Sequence, residues 1–203
     1  MLNASHVWVH QLIVTVNSVL VASLLVVAGA CSRREPPPTD LVRSATIKDI
    51  MDSMVDPSGD FLFESVAEIA DERGVTEKAP QTDQEWAQVR RHALVLLEAP
   101  NLLAMEGRKV ARPHERSNNP QVELQPEDIQ KSVDGDRPSF VRRAQQLQES
   151  AEMVLKAVDS RDPTALFHAI ESIDRACENC HLHYWYPNDH RAQEAAKAQG
   201  LVD

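Results

Sequence analysis

Cys177, Cys180 and His181 are the residues of this chain whose types and spacing could do chemistry, in the run Cys177-Glu178-Asn179-Cys180-His181. Two thiols can add to the vinyl groups of a haem, and a histidine directly after them can bind the iron from one side. The Cys-x-x-Cys-His form is the one that attaches a c-type haem. On a helix, Cys177 and His181 stand one turn apart on a shared face, with Cys180 on its edge. A tethered macrocycle can then lie across one side of the helix, with the imidazole rising to its iron. The same pair of cysteines also allows a redox dithiol or half of a zinc site. A dithiol of the thioredoxin kind normally follows a strand and opens a helix, whereas this run ends a helical pattern. A closed zinc site needs four ligands, and His181, His183 and His190 could supply some of them.

The elements that must position the run are helical. The helix that carries it is expected to be capped by Asp162, with Pro163 in its first turn. Leu166, Ile170, Ile173, Cys177 and Cys180 or His181 continue one face to Tyr184, and Pro187 and Asn188 end it. Ahead of it, Asp136 and Pro138 open a helix whose stripe of Val141, Ala144, Leu147, Ala151, Val154, Leu155 and Val158 runs to about Asp159. Thr82 and Glu85 form a capping box for another helix, with Trp86, Val89, Ala93, Leu96 and Leu97 on one side and Pro100 expected to kink or end it. A first helix is expected over about 40–55, with Ile47, Ile50, Met51, Met54 and Val55 at helical spacing. Asp56-Pro57-Ser58-Gly59 should interrupt it, and a continuation carrying Phe61, Leu62, Val66, Ile69 and Ala70 should stop at Gly74. The polar stretch over 108–137 reads as a long connection divided by a short helix around 126–133. The expected fold is all-α: an antiparallel four-helix bundle with a C-terminal Cys-x-x-Cys-His haem-attachment motif, over 41–187, followed by a polar tail over 188–203.

With 203 residues the chain is long enough for one domain with a real core, and its scarcity of Gly (6) and aromatics (4%) does not point to a sheet-rich fold. A formal charge of -10 argues against a nucleic-acid partner, which would call for a basic face. It suits a carrier that meets partner proteins through charge, and equally an ordinary soluble protein. The first 30 residues hold no Lys, Arg, Asp or Glu, and residues 12–30 are mostly Val, Leu, Ile and Ala. That reads as a signal peptide or export segment, long enough to stay as a membrane anchor. Ala28, Gly29 and Ala30 before Cys31 resemble the lipobox of bacterial lipoproteins, with Ala28 where Leu is usual. Residues 31–40, with Pro36, Pro37 and Pro38, then form a tether from a lipidated cysteine. Each of these readings places the remainder outside the cytoplasm, on the periplasmic side of a bacterial membrane.

From the haem run and the order of helices, residues 41–186 resemble the class II c-type cytochromes, the cytochrome c-prime family. The resemblance implies an antiparallel four-helix bundle with the motif near the end of the fourth helix. It implies thioether bonds at Cys177 and Cys180 and His181 as proximal ligand. An aromatic often follows that histidine by three places, and Tyr184 matches; a basic residue often comes next, but Trp185 stands there. In the family the first helix covers the other face of the haem. An apolar residue there leaves an open iron that binds nitric oxide or carbon monoxide, and a methionine closes it for electron transfer. Arg43 with Ile47 fits the apolar version, and Met51 lies one turn further along the same face, as in a subgroup with an Asp/Thr-Pro break after it. Met51 is the expected distal ligand and Met54 a weaker candidate, while ordinary core packing is the other role for both. Family members often dimerise through their first two helices, so a homodimer is one state the resemblance allows here.

Among the other polar and aromatic residues, His168 is too far along its helix to reach the same iron, His183 points away from it, and His92 is a remote distal candidate. Trp86, Tyr184, Trp185 and Tyr186 could stack near the macrocycle or fill the core. Arg43, Lys48, Arg90 and Arg91 could reach a haem propionate or form surface ion pairs. No acid–base or nucleophile constellation stands out, so the expected function is not enzymatic. It is electron transfer by one covalently bound haem c, with respiratory redox proteins as partners and the membrane reached through the N-terminal lipid or anchor. A five-coordinate gas-binding haem protein is the first alternative, and a haem-free zinc-binding or structural lipoprotein the second.

Overall fold

The computed structural model describes residues 42–71 and 74–200. Over them the chain is mostly helical. The expected export segment, Cys31 and the tether lie outside the described residues. No helix among the described residues is long and apolar enough to cross a membrane.

The first helix begins at Ile47, the first residue of its apolar stripe and later than the expected start at about 40, because Thr46 caps it. The Thr46 hydroxyl accepts from the Asp49 amide at 3.1 Å, and the Asp49 carboxylate accepts from the Thr46 amide at 2.9 Å. Arg43 therefore lies ahead of the helix in irregular, exposed chain. The helical Arg43–Ile47 pairing implied by the resemblance does not form. Helix α1 (Ile47–Ile50) passes directly into a π-helical turn (Met51–Val55) and then α2 (Asp56–Ser65). The expected break at Asp56-Pro57 is thus absent. A proline ring clashes with the carbonyl four residues back and offers no N–H. Here the wider turn, in which the Asp56 N–H donates to the Met51 carbonyl, lets Pro57 sit in the first turn of α2.

These hydrogen bonds hold the Asp49 carboxyl below the usual carboxylate range, the Thr46 backbone amide contributing most, then the Thr46 hydroxyl, with the Arg112 guanidinium 2.7 Å away. A carboxyl depressed in the folded state contributes stability above its unfolded pKa and loses it as pH falls through the folded value. Thr46→Ala is expected to cost about 1 kcal/mol in urea unfolding near neutral pH. The cost should shrink as the solution is acidified below the carboxylate range; a cost independent of pH would rule out the capping box as its source.

The second half of the expected first segment is not helical. Val66 is extended, and Ala67–Asp71 (β1) pairs antiparallel with Gly74–Lys78 (β2), from Ala67 opposite Lys78 to Asp71 opposite Gly74. The β-branched residues Val66, Ile69, Val75 and Thr76 favour strand, and Gly74 takes φ +126°, open to glycine alone at little cost.

Helix α3 (Asp83–Leu103) starts at the Thr82/Glu85 capping box and runs through Pro100 rather than stopping there. Pro100 is buried, and packing carries three further residues past it. A connection follows, containing Gly107 at φ +74° and Arg108, which is only 4% exposed. The Arg108 guanidinium donates to the Leu102 carbonyl at 2.5 Å and to the Ala45 carbonyl, so one side chain ties the end of α3 to the segment before α1. Beside it, the Ile47 and Lys48 amides donate to the Lys109 and Val110 carbonyls at 2.8 and 2.9 Å. Arg108→Ala leaves buried carbonyls without charged donors and is expected to destabilise by about 2–4 kcal/mol; a loss below about 1 kcal/mol in chemical unfolding would mean water replaces the guanidinium.

Helix α4 (Pro126–Gly135) ends the connection; α5 (Arg137–Ser160) and α6 (Pro163–Tyr184) follow, capped by Asp136 and Asp162, whose carboxylates accept from the Ser139 and Ala165 amides. The chain reverses between α5 and α6 at Arg161, which is left-handed at φ 52°. The polar tail forms α7 (His190–Ala198) from an Asp189 cap. Helix α5 packs along both α3 and α6, and α2 packs on α3 and touches α6. Leu62, Val89, Leu96, Val154, Leu166 and Ile173 are fully buried between them.

Candidate functional site

All five residues of the Cys-x-x-Cys-His run lie in the last two turns of α6. Both thiols are free and half-buried. The trace that follows folds back on them: the Trp185 and Tyr186 amides both donate to the His181 carbonyl, at 2.8 and 3.0 Å, and the Trp185 carbonyl accepts from the Leu124 amide at 2.7 Å. This last bond pins the connection before α4 against the end of α6.

Two cavities meet at the run. One is a small chamber, about 450 Å³ only when the open space at its mouth is counted and about 40 Å³ within its walls, lined by Cys177, Cys180 and His181 from α6, by Met51, Val55 and Asp56 from the π turn and the start of α2, by Leu103, and by Phe140, Arg143, Ala144 and Leu147 from α5. Its walls are largely aliphatic and aromatic. The other is an open, polar cleft of about 700 Å³ counting its mouth. It is lined by His181, Trp185 and Tyr186, by Lys48, Met51, Asp52 and Asp56, and by a wall of connection residues including Arg116, Ser117, Asn118, Glu123 and Leu124. Met51, Asp56 and His181 line both, so they stand between the apolar chamber and the polar cleft.

Burial sets the protonation states. It pushes the Cys177 thiol up to about 12, with Cys180 and nearby carboxylates adding to the shift, and the Cys180 thiol up to about 11, against the opposing pull of Arg143. Both are neutral thiols at neutral pH, unlike the depressed thiolate of a reactive dithiol. Burial lowers the His181 pKa, opposed by Asp56, and so favours the neutral imidazole that a metal requires. Burial likewise raises the Asp56 carboxyl, although the residue as a whole stands at the solvent edge. The Tyr186 hydroxyl donates to Glu178 at 2.8 Å and is pushed well up by burial and by that carboxylate.

Of the residues singled out by sequence, Cys177, Cys180, His181 and Met51 come together in one chamber, and these are the donors that could hold a cofactor. Met54, also in the π turn, packs on the core and lines neither cavity; Ile47 is fully buried elsewhere in the core. His92 stacks on Phe61 with ring centroids 4.1 Å apart and meets the Ser58 hydroxyl at 3.3 Å, away from both cavities. His168 is exposed beside Glu171, and His183 lies edge-on to Tyr184 and 3.3 Å from an Arg143 nitrogen. Among the described residues no group of three or more His, Cys, Asp or Glu could hold a metal ion.

Trp86 and Tyr184 are core residues, while Trp185 and Tyr186 line the cleft. Lys48 also lines it; Arg43 does not, Arg90 pairs with Asp159 and Arg91 is exposed. Sequence reasoning missed Asp56, Arg116, Glu123 and Arg143. The length of the 108–137 connection was the only signal for the cleft wall, since long loops in small domains commonly serve a site.

Comparison with protein-family models, with curated proteins and with solved structures finds no match for this chain.

Proposed function

We propose that this chain is an electron-transferring c-type cytochrome with one covalently bound haem. In this reading the helical run over 47–65, α3, α5 and α6 make an antiparallel four-helix bundle of the cytochrome c-prime kind. Cys177 and Cys180 provide the thioether attachments, His181 is the proximal ligand and Met51 the distal one. The observation that carries the reading is that Met51, from the first helical run, lines the same chamber as both thiols and His181 of the last.

The donor set fits the group. Two half-buried, neutral thiols and an imidazole whose neutral form burial favours share one helix face, and a thioether lines the same chamber from another element. Bound there, haem would supply a one-electron ferric/ferrous couple. The chain's own residues account for the rest. Phe140, Ala144, Leu147 and Leu103 give the chamber an apolar wall that would keep water from a haem held by the thiols. Lys48 and Arg116 in the polar cleft suit the carboxylate-bearing edge. His181 is held in register by the turn after α6, and a thioether opposite it favours the ferrous state. Among the described residues no group of three or more His, Cys, Asp or Glu is arranged to hold a metal ion, which gives the zinc reading no support. In the same reading residues 1–30 are an export segment and Cys31 a lipidation site, so that the carrier would work on the periplasmic side of a bacterial membrane near respiratory partners, lipid-anchored or, without the lipid, soluble in the periplasm.

The test is the optical spectrum of the full chain matured by a c-type haem system, ferric and ferrous, with and without carbon monoxide. Low-spin spectra with little carbon monoxide response support the proposal. A fully responsive high-spin spectrum makes gas binding the function, and a colourless protein ends the haem reading.

A further inference from the structure

Arg143 stands out among the residues around the chamber. It is half-buried on α5, and one terminal nitrogen donates to the Asn179 carbonyl at 3.2 Å and to the Asn179 side-chain oxygen. The other lies 3.3 Å from His183 Nδ1. Its Nε–H is buried with no acceptor, and no carboxylate among the described residues pairs with it. Its hydrogen-bonding partners are the amide oxygens of Asn179 and an imidazole nitrogen, and none of them is an anion. A cation left without a counter-charge beside an apolar chamber is costly unless the chamber's occupant compensates it.

We propose that Arg143 is the residue that tunes the reduction potential of the site: its unneutralised guanidinium favours the state of the occupant that carries one more electron. The inference rests on the haem reading above. Charge in a partly buried site acts over several ångströms at an effective dielectric near 20, so the expected contribution is about tenfold in the ferrous/ferric equilibrium, which is about 59 mV for a one-electron couple. The contact to Asn179 makes Arg143 also a clamp between α5 and α6, and the experiment separates the two roles.

The midpoint potential and the ligand-field spectrum are measured by redox titration at low ionic strength for the haem-loaded chain and for Arg143→Gln and Arg143→Lys. Arg143→Gln should lower the potential by about that tenfold factor with the spectrum unchanged. Arg143→Lys, which keeps the charge but not the two-point clamp, should stay near the parent. Equal falls in both variants assign the effect to the clamp, and an unchanged potential in Arg143→Gln assigns Arg143 no electrostatic role; either overturns the proposal. Should Arg143→Gln not load haem, Asn179→Asp places a carboxylate against the guanidinium with no change of shape, and a potential unaltered by it overturns the proposal as well. A parent chain without covalent haem, read by haem staining before any titration, fails the underlying reading and this inference together, whereas a loaded parent with an unresponsive potential fails this inference alone.

Discussion

Cys177→Ala/Cys180→Ala chain put through c-type maturation is expected to carry no covalent haem, with haem stain on a denaturing gel falling from stoichiometric to background. The physical ground is that both thiols open on one apolar chamber and neither is engaged in a disulfide. Burial holds them as neutral thiols, without the low pKa of an exchange dithiol, which suits the proposed attachment better than exchange. The single variants separate their roles. Each should retain haem through one bond at reduced yield, because in the proposed site His181 would still orient the macrocycle from the same helix face. Helical content should be kept in the haem-free double variant, since the core of Leu62, Leu96, Val154 and Ile173 does not include the thiols. Unchanged haem staining in the double variant would remove these cysteines from the site.

Met51→Ala has the second large effect. In the parent, carbon monoxide should leave the ferrous spectrum almost unaltered. In the variant it should shift the spectrum fully, the ferric state should become high-spin, and the potential should fall because a thioether ligand that favours ferrous iron is gone. Met51 is placed for this by the π turn: it is the first residue of the turn and its carbonyl accepts from the Asp56 amide. Met54, three residues on, packs on the core and lines neither cavity, so Met54→Ala should keep the parent's carbon monoxide response and lose stability instead, by about 2 kcal/mol. If the two variants exchange these phenotypes, Met54 is the ligand. If neither opens the iron, the methionines only pack and the distal donor lies elsewhere.

Replacing Pro57 would test the turn itself, since the wide turn accommodates a proline that an α-helical path would exclude. π turns frequently accompany functional sites because they re-aim a side chain within an otherwise regular helix. Here the re-aimed stretch is the one that carries Met51 and Asp56 to the chamber.

Residue types and spacing were enough to locate most helix boundaries and the chemistry-bearing run. Thr82, Asp136 and Asp162 cap their helices through bonds that span only three residues, and such bonds are written in local sequence. The grouping of Cys177, Cys180 and His181 on one face is likewise a property of a single helix. Tertiary packing decided everything that joins distant segments. Pro100 stays inside α3 because the core buries it, and local propensity alone would have ended the helix there. Arg43 falls outside the first helix because Thr46 caps it and the Lys109–Val110 backbone covers its first amides, a contact between segments some sixty residues apart in sequence. Val66 and Ile69 fit a helical stripe and a strand equally, and pairing with the run after Gly74 settled the matter. Met51 shared its spacing with Met54, both lie in the π turn, and only the tertiary packing shows that Met51 is the one that lines the chamber. Arg143, Arg116 and Glu123 carry no signature at all, because a cavity wall is assembled from side chains whose sequence neighbours face elsewhere. Local bonds therefore determined where the elements begin, and the packing of α5 and the 108–137 connection against α6 decided what surrounds the thiols.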